Sequence, residues 1–184
     1  MIVEHCPSAT TASALPCDAL GLVSSTRANP EADSEVCSQA EDLDSLKVVR
    51  ILLVDDSPPF RSFVRGVFDN RGSFQVIGEA SDGLEAVRLV TQLKPDLILL
   101  DIGLPKLNGI EAAKQIRQVI PGAKILFLTL NDDPDVAQAA LSDGANGYVL
   151  KIDAASELWP AVEAVLQGKQ FVSSSVVRRG MDSN

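Results

Sequence analysis

Between Lys47 and Gly168 the chain alternates two textures. Short continuous apolar runs ("KVVRILLVDD", "FQVIGEA", "DLILL", "AKILFLTL", "NGYVLK") are separated by longer segments in which apolar residues recur every three or four positions. The runs have the length of strands and the spaced segments that of helices. In "PPFRSFVRGVFDNRG", Phe60, Phe63, Val64, Val67 and Phe68 fall at helical spacing, and Gly72 is a stop. In "DGLEAVRLVTQL", Leu84, Val87 and Leu93 lie broadly on one face, closed by Pro95. "NGIEAAKQIRQV" opens at Asn108, turns Ile110, Ala113, Ile116 and Val119 or Ile120 inward, and stops at Pro121-Gly122. "DPDVAQAALSDG" has Asp133 as N-cap and Pro134 at the first helical position. In the last helix, "DAASELWPAVEAVLQG", Pro160 removes a donor and crowds the preceding turn. It should bend the helix, or an N-terminal turn should precede a helix from Glu157 onward.

Strand and helix thus alternate five times. Strands that are apolar on both faces belong in a parallel sheet with both sides covered. Right-handed crossovers then give a three-layer doubly wound (βα)5 fold of the α/β class, flavodoxin-like, with the third strand beside the first.

All strands of such a sheet end at one edge, where ligands bind. The first ends in Asp55-Asp56, the third in Asp101, the fourth in Thr129 and the fifth in Lys151. A lone acid after a strand is more often a helix N-cap than a catalyst, and Asp56 could cap "SPPFRSFV". Five polar groups on one edge point further. Three close carboxylates repel one another unless a cation holds them. Oxygen-only ligands suit Mg²⁺, which also accepts phosphate oxygens. Lys151 supplies a point charge able to pair with a phosphoryl oxygen, and Thr129 a hydroxyl able to donate to another. One carboxylate can then act as a nucleophile toward phosphorus. Asp101 is the candidate, because its strand is central and Gly103 beyond it leaves space and an accessible carbonyl.

Charge sharpens the domain boundaries. Residues 1–46 hold one basic residue (Arg27) and eight acids, so −7 of the net −9 lies there and the remaining 138 residues are nearly neutral. A nearly neutral domain lacks the basic face that electrostatic nucleic-acid binding needs. Cys6, Cys17, Cys37 and His5 all fall in residues 1–46. Without a C-x-x-C pair they read as a thiol-bearing tail ahead of a zinc site. A domain free of cysteine suits a cytoplasmic setting. No stretch approaches the roughly 18 apolar residues of a membrane span, and the N-terminus lacks the basic and apolar regions of a secretory signal. We therefore expect a disordered acidic extension over 1–46, one domain over 47–168 and a short C-terminal tail over 169–184, with Arg178-Arg179 a solvated basic pair.

The pieces "ILLVDD", "PDLILLDIGLPKLNGIEA", "ILFLT" and "GANGYVLK" resemble the receiver domain of bacterial two-component response regulators, over about Val48 to Gly168. The wording is nearest to receivers of the NarL/FixJ type. The resemblance implies the CheY-like fold with sheet order 2-1-3-4-5. It makes Asp101 the acceptor of a phosphoryl group from the phosphohistidine of a sensor histidine kinase or phosphotransfer protein. It makes Asp55, Asp56, Asp101 and the carbonyl of Gly103 the Mg²⁺ ligands. Lys151 becomes the phosphoryl contact, Thr129 the switch hydroxyl, and Tyr148 the switch aromatic that turns inward on activation. For Tyr148, the plainer reading is a surface strand aromatic. The resemblance also implies a phospho-acceptor rather than an enzyme, at most assisting its own phosphorylation and dephosphorylation. Its output face would be built from the fourth helix, fifth strand and fifth helix and offered to a protein partner or to a second copy of the chain.

Receivers of this type usually continue into a helix-turn-helix domain, whereas only "KQFVSSSVVRRGMDSN" follows Gly168 and contains no recognition helix. Direct DNA binding by this chain is not expected. Three readings stay open: a phosphorylatable receiver acting through protein contacts, a phosphorylation-independent interaction domain, and a truncated transcriptional regulator. Ile152 follows Lys151 where many receivers have proline, so no cis peptide is expected there.

Overall fold

The order of elements follows the alternation read from the sequence and continues past it. The computed structural model describes residues 48–69 and 71–182; the acidic segment 1–46, with its cysteines and histidine, lies outside the described residues. The strands are β1 (Val49–Val54), β2 (Phe74–Ala80), β3 (Leu97–Leu100), β4 (Lys124–Thr129), β5 (Gly147–Leu150) and β6 (Phe171–Val172). The helices are α1 (Pro58–Phe68), α2 (Gly83–Leu93), α3 (Gly109–Val119), α4 (Pro134–Ser142), α5 (Ala154–Leu166) and α6 (Ser174–Asp182).

One parallel sheet has the order β2-β1-β3-β4-β5-β6. The expected 2-1-3-4-5 arrangement is present, and β6 extends it at the β5 edge. Residues 169–182 are therefore more than a tail, since they supply a strand and a helix, while Arg178 and Arg179 are exposed as expected.

Each central strand is buried on both faces, and its residues alternate between two cores. Leu52, Val54, Ile98, Leu100, Ile125 and Phe127 face the side covered by α2, α3 and α4. Ile51, Leu53, Leu97, Leu99, Leu126 and Leu128 face the side covered by α1 and α5. This double burial explains why "LILL" carries no polar position. It also fixes register, because a slip of one residue would exchange the two sets.

Three helix starts behave as their residues predict. The side chains of Asp82, Asn108 and Asp133 accept from the backbone N–H of Glu85, Glu111 and Asp135. Asp56 caps nothing, because Ser57 is the N-cap of α1 and Pro58 its first residue. Pro160 lies inside a helix that begins at Ala154, earlier than expected. Both Pro160 and Ser156 are exposed, so the carbonyl left without an intrahelical donor can face water. Leu84, expected on the inward face of α2, is 54% exposed. The inward stripe is instead Gly83, Ala86 and Val90.

Two glycines let helix starts approach the loop after β3. A Cβ at Gly83 would lie 2.1 Å from the carbonyl oxygen of Leu107, and one at Gly109 would lie 1.9 Å from that of Asp101. Gly66, exposed within α1, has nothing within 4 Å of such an atom. Gly109→Ala is therefore expected to destabilise the domain by about 3 kcal/mol. Gly66→Ala should stabilise it by about 0.5–1 kcal/mol. Urea unfolding midpoints of the two variants should move in opposite directions from the parent.

Candidate functional site

The C-terminal ends of β1, β3, β4 and β5 bring together Asp55, Asp56, Asp101, Thr129 and Lys151. At three of these ends the side chain folds back onto the backbone two residues on. Asp55 Oδ1 accepts from the Ser57 N–H at 2.9 Å, Asp101 Oδ1 from the Gly103 N–H at 3.1 Å, and Thr129 Oγ1 from the Asn131 N–H at 3.2 Å. These local turns end each strand and fix the side chain's direction at the same time.

Lys151 follows β5, its N–H bonded to the Thr129 carbonyl at 2.8 Å. Its Nζ lies 2.6 Å from Oδ2 of both Asp55 and Asp101. The contact with Asp101 has hydrogen-bond geometry. Asp55 Oδ2 is charge-paired with the ammonium but is buried without an aligned donor. Phe60 of α1 places its ring 4.8 Å beneath the same ammonium. Asp55, Asp101 and Thr129 are buried, while Asp56 is exposed.

The carboxylates of Asp55, Asp56 and Asp101 each offer an oxygen, and these oxygens lie within 4.8 Å of one another. Three acids against one lysine leave the cluster net negative. With an all-oxygen donor set and a buried oxygen lacking a donor, the residues fit a hard divalent cation. A Cβ at Gly103 would stand 3.9 Å from both carboxylate oxygens of Asp101, an ordinary van der Waals contact, so this position borders that carboxylate. Leu130 and Ile152, 71% and 69% exposed, form an apolar rim around the pocket.

Burial pushes the Asp55 carboxyl above its ordinary value, against the Lys151 ammonium and the hydrogen bond from Ser57, and the neighbouring charge of Asp101 pushes the same way as burial. Burial also works against the Lys151 charge, but the bonds to Asp101 and Asp55 outweigh it and hold that group above the usual lysine value.

Tyr148 is fully buried on the α4 side of the sheet, and its hydroxyl donates to the Asn131 carbonyl at 2.8 Å. The surface-aromatic reading does not hold, and the ring expected to turn inward already points in. One residue, Asn131, thus takes a bond from Tyr148 through its carbonyl and gives one to Thr129 through its N–H.

Several contributing residues escaped the sequence reading. Arg61 donates to the Asp55 carbonyl at 2.6 Å and pairs with Glu79 at 2.9 Å, tying the β1–α1 loop to β2. Lys106, at a left-handed φ of 64°, pairs with the buried Asp82 at 2.5 Å and so fastens the loop after Asp101 to the start of α2. These pairs span 18 and 24 residues of sequence, and no local spacing announces them. Phe60 was visible only as part of an apolar helix face.

Fold and site together define a flavodoxin-like domain with an acidic centre at the carboxyl edge of its sheet. The family model described as the response regulator receiver domain matches residues 51–163. The chain belongs to that family. The transcriptional regulatory protein DegU of Brevibacillus brevis is 38% identical over 128 residues, covering 70% of this chain and 54% of DegU. Among solved structures, a LuxR-family two-component response regulator from Aurantimonas sp. SI85-9A1 superposes with a TM-score of 0.68 at 38% identity, covering 72% of this chain and 94% of that one. The isolated receiver domain of RcsB from Salmonella enterica serovar Typhimurium, with the phosphomimetic BeF3−, gives 0.67 at 28% identity, covering 72% and 98%. The chain spans 54–61% of the length of the curated relatives it matches first. Among the described residues, no helix is long and apolar enough to cross a membrane.

Two titrations test this geometry. Folded Asp55 binds its proton more tightly than the unfolded chain does. Its contribution to stability is therefore present below the ordinary carboxylate range and is lost as pH rises through the raised value. In chelator at neutral pH, Asp55→Asn should raise stability by about 1 kcal/mol and flatten the fall above pH ~4. A chemical denaturation series across pH reads both effects. Burial pushes the Tyr148 phenol up to about 12. As Tyr148 is the chain's one tyrosine, phenolate absorbance reports it alone. The midpoint should lie near 12 in the folded protein and near 10 after unfolding, and stability should fall as pH rises between the two.

Proposed function

We propose that the domain is a phospho-acceptor of two-component signalling in the cytoplasm, with Asp101 as the acceptor. The observation that carries this reading is the Lys151 ammonium 2.6 Å from both Asp55 and Asp101 within a cluster of three carboxylates. Such a cluster stabilises a transferring phosphoryl group by position and charge, with little covalent work left to the protein.

In the proposed reaction an Asp101 carboxylate oxygen forms a bond to the phosphorus of a kinase phosphohistidine. The phosphorus–nitrogen bond breaks, and the imidazole leaves with its electron pair. Lys151 exchanges part of its contact with Asp101 for a phosphoryl oxygen. Thr129, whose hydroxyl oxygen already accepts the Asn131 N–H, donates its proton to another. Asp55, Asp56, Asp101 and the carbonyl of Gly103 would hold Mg²⁺, which when bound offsets negative charge on the phosphoryl group. Lys106 and Arg61 position the two loops that carry the acids.

A phosphoryl group adds up to two negative charges and strong acceptors next to Thr129. Because Asn131 is bonded to both Thr129 and Tyr148, a shift of Thr129 toward the phosphoryl group reaches Tyr148 through one residue. The face made by α4, β5 and α5 then changes its population of states and controls a protein partner. The inward Tyr148 ring with its hydroxyl on Asn131 supports a switch that exchanges hydrogen bonds at Asn131.

The relatives' description as transcriptional regulators favours a second reading, in which this domain is the receiver of a DNA-binding regulator. Reading the genomic frame beyond Asn184 for a helix-turn-helix segment decides between them.

With labelled acetyl phosphate and Mg²⁺ the chain should acquire one acid-stable, base-labile phosphoryl group. Asp101→Asn should lose that labelling while retaining the fold by circular dichroism. Labelling of the variant at the parent's rate would remove Asp101 from the role.

A further inference from the structure

Residues 169–182 rest on α4, β5 and α5 together. β6 pairs with β5 at Gly147 and Tyr148, and the Ser173 N–H donates to the Tyr148 carbonyl at 2.8 Å. The buried Val176 joins the core on the α4 side. Glu157 of α5 closes the start of α6. One of its oxygens accepts from the Ser174 hydroxyl at 2.6 Å and the Ser174 N–H at 3.3 Å, and the other accepts from the Ser173 hydroxyl. A carboxylate at a helix N-terminus satisfies free donors and complements the dipole. At the other end Arg179 pairs with Asp132 at 2.5 Å, and Gly180 lies against Pro134.

This attachment is small. From Ser173 to Gly180, only Ser173 and Val176 are buried. A segment held by few buried groups can detach without unfolding the domain. Its contacts also lie next to the switch. Ser173 bonds the backbone of Tyr148, and Asp132 directly follows Asn131, the residue bonded to both Thr129 and Tyr148. Movement of Thr129 toward a phosphoryl group would carry Asn131 and Asp132 with it, and so disturb the Arg179 pair.

We propose that the α4–β5–α5 face is a docking surface whose resident occupant is the chain's own segment 169–182, held by Glu157, Ser173, Val176 and Arg179 and released when the acidic site takes up a phosphoryl group. This rests on the phospho-acceptor reading. The segment and any protein engaging that face exclude each other. Release is therefore the step that exposes the output surface. Linkage requires the reciprocal effect: loosening the segment must tighten ligand binding at the acidic site.

The test uses the full chain, amide hydrogen exchange, and beryllofluoride with Mg²⁺ as the probe. Without ligand, the amides of Ser173, Val176 and Val177 should be protected, and in Arg179→Ala they should exchange up to about fivefold faster with β1–β4 unchanged. Glu157→Gln, which keeps the side chain's size, should act in the same direction. Beryllofluoride should accelerate the same amides in the parent, and Arg179→Ala should bind it about fivefold more tightly. Unprotected amides in the ligand-free parent would overturn the docking. Bound ligand, seen as a raised unfolding temperature, with unchanged exchange would overturn the coupling alone. No ligand binding to either chain would remove the coupling together with the phospho-acceptor reading, and the exchange of Arg179→Ala distinguishes that failure from a failure of docking.

Discussion

The Lys151 ammonium between Asp55 and Asp101 is the contact on which the whole site depends. It joins the ends of three strands, β5, β1 and β3, through side chains that are largely buried. Charges removed from water are costly: losing Lys151 would strand two buried acids, a change that typically costs about 3–5 kcal/mol, whereas losing Asp55 leaves the lysine paired with Asp101. Here one cation serves two buried acids while Asp56 adds a third. The cluster is held together yet remains short of positive charge. A site balanced in this way gains from any additional cation and can surrender part of the lysine to an incoming anion.

That arrangement needs a support that does not yield. The sheet provides it by burying every central strand on both faces, so that each strand end is fixed by packing rather than by the polar residues it carries. The loops are fixed separately. The turns at Asp55, Asp101 and Thr129 set the side chains locally, Gly83 and Gly109 allow helix starts to close against the loop after β3, and Lys106 and Arg61 tie that loop and the β1–α1 loop to their neighbours. The apolar core supplies rigidity. The charged ties supply direction.

Much of this was legible in the sequence because it is local. Apolar runs of strand length announce strands, and an acid, hydroxyl or lysine directly after each run marks the ligand edge. Asp55, Asp56, Asp101, Thr129 and Lys151 were identified that way, and they do converge. What stayed hidden depends on contacts between distant residues. Leu84 turns outward because the small residues Gly83 and Ala86 carry the inward stripe of α2 and allow close approach to Leu107. Lys106 and Arg61 look like ordinary surface cations until Asp82 and Glu79 are placed beside them. The C-terminal segment reads as a tail because a two-residue strand has no period and a Ser- and Arg-rich helix buries only Val176 among its described side chains. Both elements exist because β5 offers an open edge and Glu157 offers a cap.

The same open edge bears on how a charge at Asp101 could be felt elsewhere. Tyr148 is buried in this structure, with its hydroxyl on the Asn131 carbonyl. The bonds that can exchange are those of Asn131, which gives its N–H to Thr129 and takes the Tyr148 hydroxyl on its carbonyl. A hydrogen bond is worth about 1 kcal/mol net, and more when one partner is charged. A phosphoryl group competing for Thr129 can therefore offset the loss of a neutral bond at Asn131. The next residue along, Asp132, is held by Arg179 at the exposed surface, where an ion pair is worth at most about 1 kcal/mol. The weakest bond in this chain of contacts is thus the one farthest from the acidic site. A small displacement at Thr129 would be expressed there first, at the end of α6, while the buried strands that define the site remain in place.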